Sequence, residues 1–136
     1  MEKYRETIIY DQLPKEKVKC GICAQECELK NKEIGACKVR KNMRGKLYSM
    51  VYGKSIDLSV DPIEKKPFFQ FAPGSRAMSV ATMGCNLSCK FCQNWEISNE
   101  FEEVSGKEYS PEKLVKKAKS WKADGIAYTY TEPAVF

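Results

Sequence analysis

Seven cysteines and no histidine are what most constrain this chain of 136 residues. Without an imidazole, the chain has no histidine base, no Ser-His or Cys-His nucleophile pair and no histidine metal ligand. Because seven is odd, disulfides cannot pair every thiol. The chain starts without an apolar segment of signal-peptide length, and no apolar run approaches the roughly 18 residues of a membrane span. We therefore expect a cytoplasmic protein with no membrane partner, whose reduced thiols bind metal.

The composition is that of a globular protein, with 43% hydrophobic and 30% charged residues. Lysine and arginine (23) exceed aspartate and glutamate (18), which gives a net charge of +5. The lysines are dispersed among acidic residues and form no basic stripe, so we expect a solvated surface and no nucleic-acid partner. The length suits one domain and falls short of the roughly 250 residues of a closed (β/α)8 barrel.

The first cysteine group comprises Cys20, Cys23, Cys27 and Cys37. Four thiolates suit tetrahedral zinc or a fully ligated iron–sulfur cluster, and the residues leave both alternatives open. Residues 20–37 show no helical or strand period and few apolar side chains, so we expect a metal to organise them. The nearby Arg40 and Arg44 are expected to be solvated rather than to balance thiolate charge. Residues 1–19 are predicted to form a short helix or an irregular arm.

The rest of the chain alternates between strand and helix signals. Residues 46–60 predict two strands broken at Gly53, and the prolines of residues 61–75 predict an irregular connector. The apolar run 76–83 is typical of a strand covered on both faces, as in a parallel sheet. We therefore divide the chain into a four-cysteine and β region (1–60), a connector (61–75) and a unit that begins at residue 76.

A helix over residues 111–123 is predicted to follow the acidic, exposed segment 99–109. Ser110 suits the N-cap and Pro111 the first helical position. Leu114, Ala118 and Trp121 make one apolar stripe. Residues 126–131 are rich in strand formers. Residues 76–136 therefore predict a strand–helix–strand unit with parallel strands, an α/β fold.

The second cysteine group, Cys85, Cys89 and Cys92, has the spacing C-x3-C-x2-C and directly follows the predicted strand 76–83. Ligands of α/β sheets bind at the carboxyl ends of the strands. Three thiolates on one loop can bind three irons of a cubane cluster, and they leave the fourth iron open to another ligand. An electron carrier would need a fourth protein ligand, and none lies nearby in the sequence.

The loop reads Gly84-Cys85-Asn86-Leu87-Ser88-Cys89-Lys90-Phe91-Cys92, which resembles the signature of the radical S-adenosylmethionine (radical SAM) superfamily. The segments Asp61-Pro-Ile-Glu-Lys-Lys-Pro67, Pro73-Gly74 and 92–98 are similar to one branch of it. That branch holds the AmmeMemoRadiSam-system proteins, which resemble pyruvate-formate-lyase-activating enzymes. Relatives usually have histidine where Gln70 stands here.

The resemblance implies a [4Fe-4S] cluster on the three cysteines and the start of a partial (β/α)6 barrel. Its open iron would bind the amino and carboxylate groups of SAM. One electron would then cleave SAM to methionine and a 5′-deoxyadenosyl radical, which takes hydrogen from an unknown protein or small-molecule substrate. Thr131, Glu132 and Phe91 are implied as SAM contacts. Of the family's Gly-Gly-Glu segment, only the glutamate matches in Tyr130-Thr131-Glu132-Pro133.

The same resemblance implies an oxidoreductase of the activating-enzyme type. Its expected partners are an electron donor of the ferredoxin or flavodoxin type and the Amme-type and Memo-type proteins. Two parallel strands leave both sheet edges open, so either residues 46–60 complete the sheet or the chain is the front part of a longer protein; we expect the latter. The alternative functions are a non-catalytic zinc or iron–sulfur module and an electron carrier.

Overall fold

The computed structural model describes residues 4–136, in which short strands predominate over helices. The strands are β1 (Arg5–Glu6), β2 (Tyr10–Leu13), β3 (Lys17–Cys20), β4 (Glu28–Leu29), β5 (Arg40–Met43), β6 (Lys46–Ser49), β7 (Lys54–Ser55), β8 (Asp57–Pro62), β9 (Arg76–Ala81), β10 (Lys107–Glu108) and β11 (Gly125–Tyr128). The helices are α1 (Trp95–Ser98) and α2 (Pro111–Ser120), and 3-10 turns occupy Ile63–Lys65 and Pro133–Val135.

The predicted strand–helix–strand unit is present as β9, α2 and β11. The two strands pair in parallel, with Gly125 opposite Ala77 and Tyr128 opposite Val80. On the other edge of β9, the whole of β8 pairs antiparallel, so the order in this sheet is β8-β9-β11. Within residues 4–136 the sheet has these three strands, which confirms an α/β unit but does not show a partial barrel.

Helix α2 begins at the residues that the sequence indicates. The Ser110 hydroxyl accepts a hydrogen bond from the Lys113 amide at 3.3 Å, and Pro111 occupies the first turn. Leu114 and Ala118 are buried in one apolar cluster with Met78 and Val80 of β9, to which Leu58 and Val60 of β8 also contribute. The prediction that Trp121 belongs to this core is wrong. Trp121 caps the end of α2, is exposed, and lies beneath the Lys117 ammonium, 4.3 Å from the ring centroid.

The N-terminal half contains two three-stranded antiparallel sheets, β2-β3-β4 and β1-β6-β5. The prediction of a helix or irregular arm over residues 1–19 is therefore wrong for the described part of that range. Strands β2 and β3 are joined by a tight turn in which Lys15 and Glu16 have φ values of 60° and 56°. The register pairs Leu13 with Lys17 and leaves the three-residue loop 14–16. Pro14 is its one ordinary turn residue, and the loop has no glycine or asparagine at the positions of positive φ.

Residues 20–37 contribute two buried side chains, Cys20 and Leu29, to an apolar core. Val18, Cys20, Leu29 and Leu47 form a small core that Tyr10, Ile22 and Cys27 flank. The domain boundaries stay a prediction, although β8 crosses the proposed boundary at residue 60 and ends inside the proposed connector. The longest described helix, α2, has ten residues, and no helix in residues 4–136 has the length and apolarity needed to cross a membrane.

Candidate functional site

The three-cysteine loop follows β9 at its carboxyl end, as predicted. Cys85 is buried, Cys89 is exposed and Cys92 is half-buried. The Cys92 amide donates to the Cys89 carbonyl at 3.2 Å, and the Cys92 sulfur lies 3.7 Å from the buried Ser98 hydroxyl of α1. The loop therefore presents its thiols at several depths, from the core to the surface.

Backbone contacts hold the two ends of this loop together. The Gly84 amide donates to the Ile97 carbonyl at 2.9 Å, and the Asn99 side-chain amide donates to the Leu87 carbonyl at 3.0 Å. Gly84 has φ +96°, a conformation that favours glycine. The short α1 thus closes the loop back onto its first residue.

The end of β11 lies beside the same loop. The Thr131 hydroxyl donates to the Thr82 carbonyl at 3.1 Å, and the Asn94 side-chain amide donates to the Tyr130 carbonyl at 3.0 Å. Glu132, half-buried, accepts a hydrogen bond from the Ala134 amide at 3.1 Å and so caps the 3-10 turn Pro133–Val135. The carboxyl ends of the two parallel strands therefore bring residues 130–132 next to the segment that carries the cysteines.

A polar network that the sequence analysis missed covers the face of this sheet opposite α2. The buried Ser79 hydroxyl lies 2.6 Å from the Lys66 ammonium and 3.1 Å from the Asp61 carboxylate. The Ser59 hydroxyl oxygen lies 3.2 Å from the same carboxylate and 3.3 Å from the Tyr130 hydroxyl oxygen. The Lys66 ammonium also lies 5.3 Å from the centroid of the Tyr130 ring.

This network shifts the ionisation of two of its members. Hydrogen bonding with Lys65, with further contributions from Lys66 and Ser79, lowers the pKa of Asp61 from 3.8 to about 2. Hydrogen bonding with Ser59 and Ser79 lowers the pKa of Tyr130. Tyr130 has φ 73°, which is unusual for a bulky residue. Its hydroxyl, ring and carbonyl all have partners, so the network holds the turn that leads into Thr131 and Glu132.

Several aromatic side chains in and outside the cysteine loop are exposed. Phe91, between the last two cysteines, is 90% exposed. Trp95 on α1 and Phe68, Phe69 and Phe71 beside Gln70 are also exposed. The role of Phe91 towards SAM stays a prediction.

The first cysteine group converges in space. Cys20, Cys23, Cys27 and Cys37 line one crevice together with the Arg40 side chain. Desolvation by burial raises the pKa of Cys20 and of Cys37. The expectation that Arg40 is solvated is wrong: Arg40 is 4% exposed, whereas Arg44 is exposed as expected. Burial lowers the pKa of Arg40, and the adjacent Cys37, Cys20 and Cys23 act in the opposite direction.

The thiols of neither cysteine group are arranged around a common point where a metal ion could bind. Within residues 4–136, no three cysteine, aspartate or glutamate side chains stand close enough together to share a metal ion. The donor chemistry nevertheless suits iron–sulfur binding at the second group, because three thiols stand within eight residues of one irregular loop. Rotation about the Cα–Cβ bond moves a thiol between staggered positions without moving the backbone.

Part of the chain is similar to a known family. Residues 79–136 match the family model of the radical SAM superfamily. This radical SAM match begins within β9 and includes the three cysteines, α2, β11 and Glu132. The match is consistent with the [4Fe-4S] cluster and SAM that the sequence predicts for this region. The match does not distinguish the activating-enzyme-like branch.

The likeness to a curated relative extends over the N-terminal half as well. The chain is 46% identical over 134 residues to an uncharacterized protein of Methanocaldococcus jannaschii. The aligned region covers 97% of this chain and 40% of that relative. No solved structure matches the chain.

Proposed function

We propose that this chain is part of a radical SAM enzyme and that Cys85, Cys89 and Cys92 hold its [4Fe-4S] cluster. One observation carries the proposal: the three cysteines occupy the carboxyl end of β9, the first strand of a parallel β-α-β unit, within the region that matches the superfamily. Ligand sites of α/β sheets lie at this end of the strands. When bound by these thiolates, the cluster would supply the electron for the reductive cleavage of SAM to methionine and a 5′-deoxyadenosyl radical.

The residues of the chain hold and orient the cofactors in this proposal. The thiolates of Cys89 and Cys92 are within reach of solvent, where a preassembled cluster can be received, and the buried Cys85 anchors it to the core. The Glu132 carboxylate would accept hydrogen bonds from the ammonium group of SAM, because a carboxylate binds an ammonium well. The bonds from Asn94 to Tyr130 and from Thr131 to Thr82 set the distance between this carboxylate and the cysteine loop.

The branch, the substrate class and the partners that we propose rest on the family resemblance of the sequence. We place the protein in the activating-enzyme-like branch of the AmmeMemoRadiSam system, as an oxidoreductase that abstracts hydrogen from a protein or small-molecule substrate. A ferredoxin or flavodoxin would deliver the electron, and Amme-type and Memo-type proteins would be its partners. The segments at 61–67 and 92–98 support this branch, and the cytoplasm is the proposed location.

The test is anaerobic iron analysis combined with electron paramagnetic resonance (EPR) of the reduced protein, with and without SAM. We expect about four irons per chain, as in one cubane cluster, and a signal that SAM changes. The variant C85A/C89A/C92A should lose both. The matched control L87A changes an exposed side chain of the same loop and should keep both the iron and the SAM-sensitive signal.

Two outcomes would overturn the proposal. Iron that survives in C85A/C89A/C92A would place the cluster elsewhere. A cluster whose spectrum is indifferent to SAM would indicate an electron carrier rather than a radical SAM enzyme.

A further inference from the structure

We infer that Cys20, Cys23, Cys27 and Cys37 bind one zinc ion in a closed four-thiolate site, which fastens the N-terminal sheets to the base of the three-cysteine loop. This inference does not depend on the radical SAM proposal, because it concerns different residues and a different metal. It chooses between the two alternatives that the sequence left open.

The size of the crevice favours a single ion. All four cysteines line it, with apolar side chains that include Ile22, Leu29 and Val135, and its volume is about 10 Å³. A cavity needs roughly 10–15 Å³ to hold one water molecule. One metal ion can therefore be enclosed by inward rotation of the thiols, whereas four irons and four sulfides would require the small core around Leu29 to open.

The buried guanidinium of Arg40 provides an independent argument. Its two terminal nitrogens donate to the carbonyls of Val135 at 2.9 Å and Phe136 at 3.1 Å, and one of them also lies 3.2 Å from the Ser49 hydroxyl. Its Nε–H has no acceptor among the described residues. A buried cation is stabilised by a negative charge placed close to it. Four thiolates around Zn²⁺ carry a net charge of −2, and the Cys20, Cys23 and Cys37 thiols stand next to this cation.

The position of the site explains what zinc would stabilise there. A Cβ added to Gly84 would lie 2.7 Å from the Cys37 carbonyl oxygen, and the Gln25 side-chain amide donates to the Asn86 carbonyl at 3.1 Å. Val135 packs with Cys37 and Met83 in one apolar cluster. The segments that carry the four thiols therefore touch both the first residues of the three-cysteine loop and the end of the described chain. A closed site without an open coordination position is structural rather than catalytic.

The experiment measures metals in the full chain purified under reducing conditions and supplied with both iron and zinc. We expect one zinc per chain, retained in C85A/C89A/C92A and lost in C20S/C37S. Cobalt(II) in place of zinc should give the intense visible absorption of a tetrahedral thiolate site. The variant R40M keeps every thiol and should weaken zinc binding by about 10- to 100-fold, the usual effect of removing a group that contacts metal ligands.

Because C20S/C37S can misfold, competition between the folded wild type, R40M and a zinc chelator provides the second measurement. An unchanged zinc affinity in R40M would contradict the charge argument. Iron in place of zinc at the first group, or no metal there, would overturn the inference.

Discussion

Gly84, the first residue of the three-cysteine loop, lies directly against Val39 of the N-terminal half. A Cβ at Gly84 would overlap the Val39 side chain and approach the Cys37 carbonyl oxygen to 2.7 Å. The backbone at Gly84 also has φ +96°, which L side chains rarely adopt. Two requirements, space and conformation, therefore call for glycine at the point where the two cysteine groups meet.

The substitution G84A should destabilise the protein through both effects. The positive φ alone costs about 1–2 kcal/mol, and relief of the overlap adds about 1–3 kcal/mol, as in other overpacked sites. The measurement is the free energy of unfolding from urea denaturation. The control is G74A, since Gly74 also has positive φ (+80°) but no neighbouring atom within 4 Å of a Cβ. If both variants lose equal stability, the close approach of Gly84 to Val39 contributes nothing.

The Asp61 carboxylate should make stability fall as the pH is lowered. Its pKa is about 2 in the folded protein, against 3.8 ordinarily, so its contribution is complete above pH 3.8 and is lost as the pH falls towards 2. Because the partner Lys65 is largely exposed, we expect a loss of only about 1 kcal/mol. Urea denaturation across this range should show a shallower pH dependence in D61N. D57N, which changes an exposed carboxylate on the same strand, should keep the slope of the wild type.

The parts of the fold that the sequence predicted have local signals. Ser110 and Pro111 mark the start of α2 by capping chemistry, and the apolar run before Gly84 marks β9 because both its faces are covered. The three-cysteine loop could be predicted for the same reason: the spacing of its ligands is contained in eight residues. None of these signals requires knowledge of which distant segments meet.

The parts that could not be predicted depend on distant or atypical contacts. The β2–β3 hairpin places Lys15 and Glu16 at positive φ, where glycine or asparagine is usual, so Pro14 alone did not predict the hairpin. The buried Arg40 side chain donates hydrogen bonds to main-chain oxygens 95 and 96 residues away in the sequence. The contact between Ser59 and Tyr130 joins residues 71 positions apart. These contacts form only when distant segments come together in the folded protein, so a single sequence does not reveal them.

Phe91 provides a test of whether the exposed aromatic beside the cysteines contacts SAM. The side chain is 90% exposed, so F91A should change the free energy of unfolding by less than about 0.5 kcal/mol. If the ring packs on SAM, the dissociation constant of the cluster-loaded protein for SAM should rise about two- to tenfold, the range typical of an aromatic contact. Isothermal titration under anaerobic conditions measures it. L87A, on the same loop and 49% exposed, is the matched control, and equal affinities in F91A and the wild type would remove Phe91 from the site.

Glu132 has two possible roles that one pair of variants separates. As a cap, its oxygen accepts the Ala134 amide, and a glutamine can do the same. As a ligand of the SAM ammonium, it needs its charge. We therefore expect E132Q to keep the stability of the wild type and to bind SAM about 10- to 100-fold more weakly, the effect of losing a charged hydrogen bond of about 1.5–3 kcal/mol.

E132A should show the same loss of SAM affinity and, in addition, lose about 1 kcal/mol of stability through the missing cap. Iron content must be unchanged in both variants, because Glu132 is separate from the three cysteines. Suppose instead that E132Q binds SAM normally and E132A is merely less stable. Glu132 would then serve the 3-10 turn alone, and the match to the glutamate of the superfamily's Gly-Gly-Glu segment would not extend to its role.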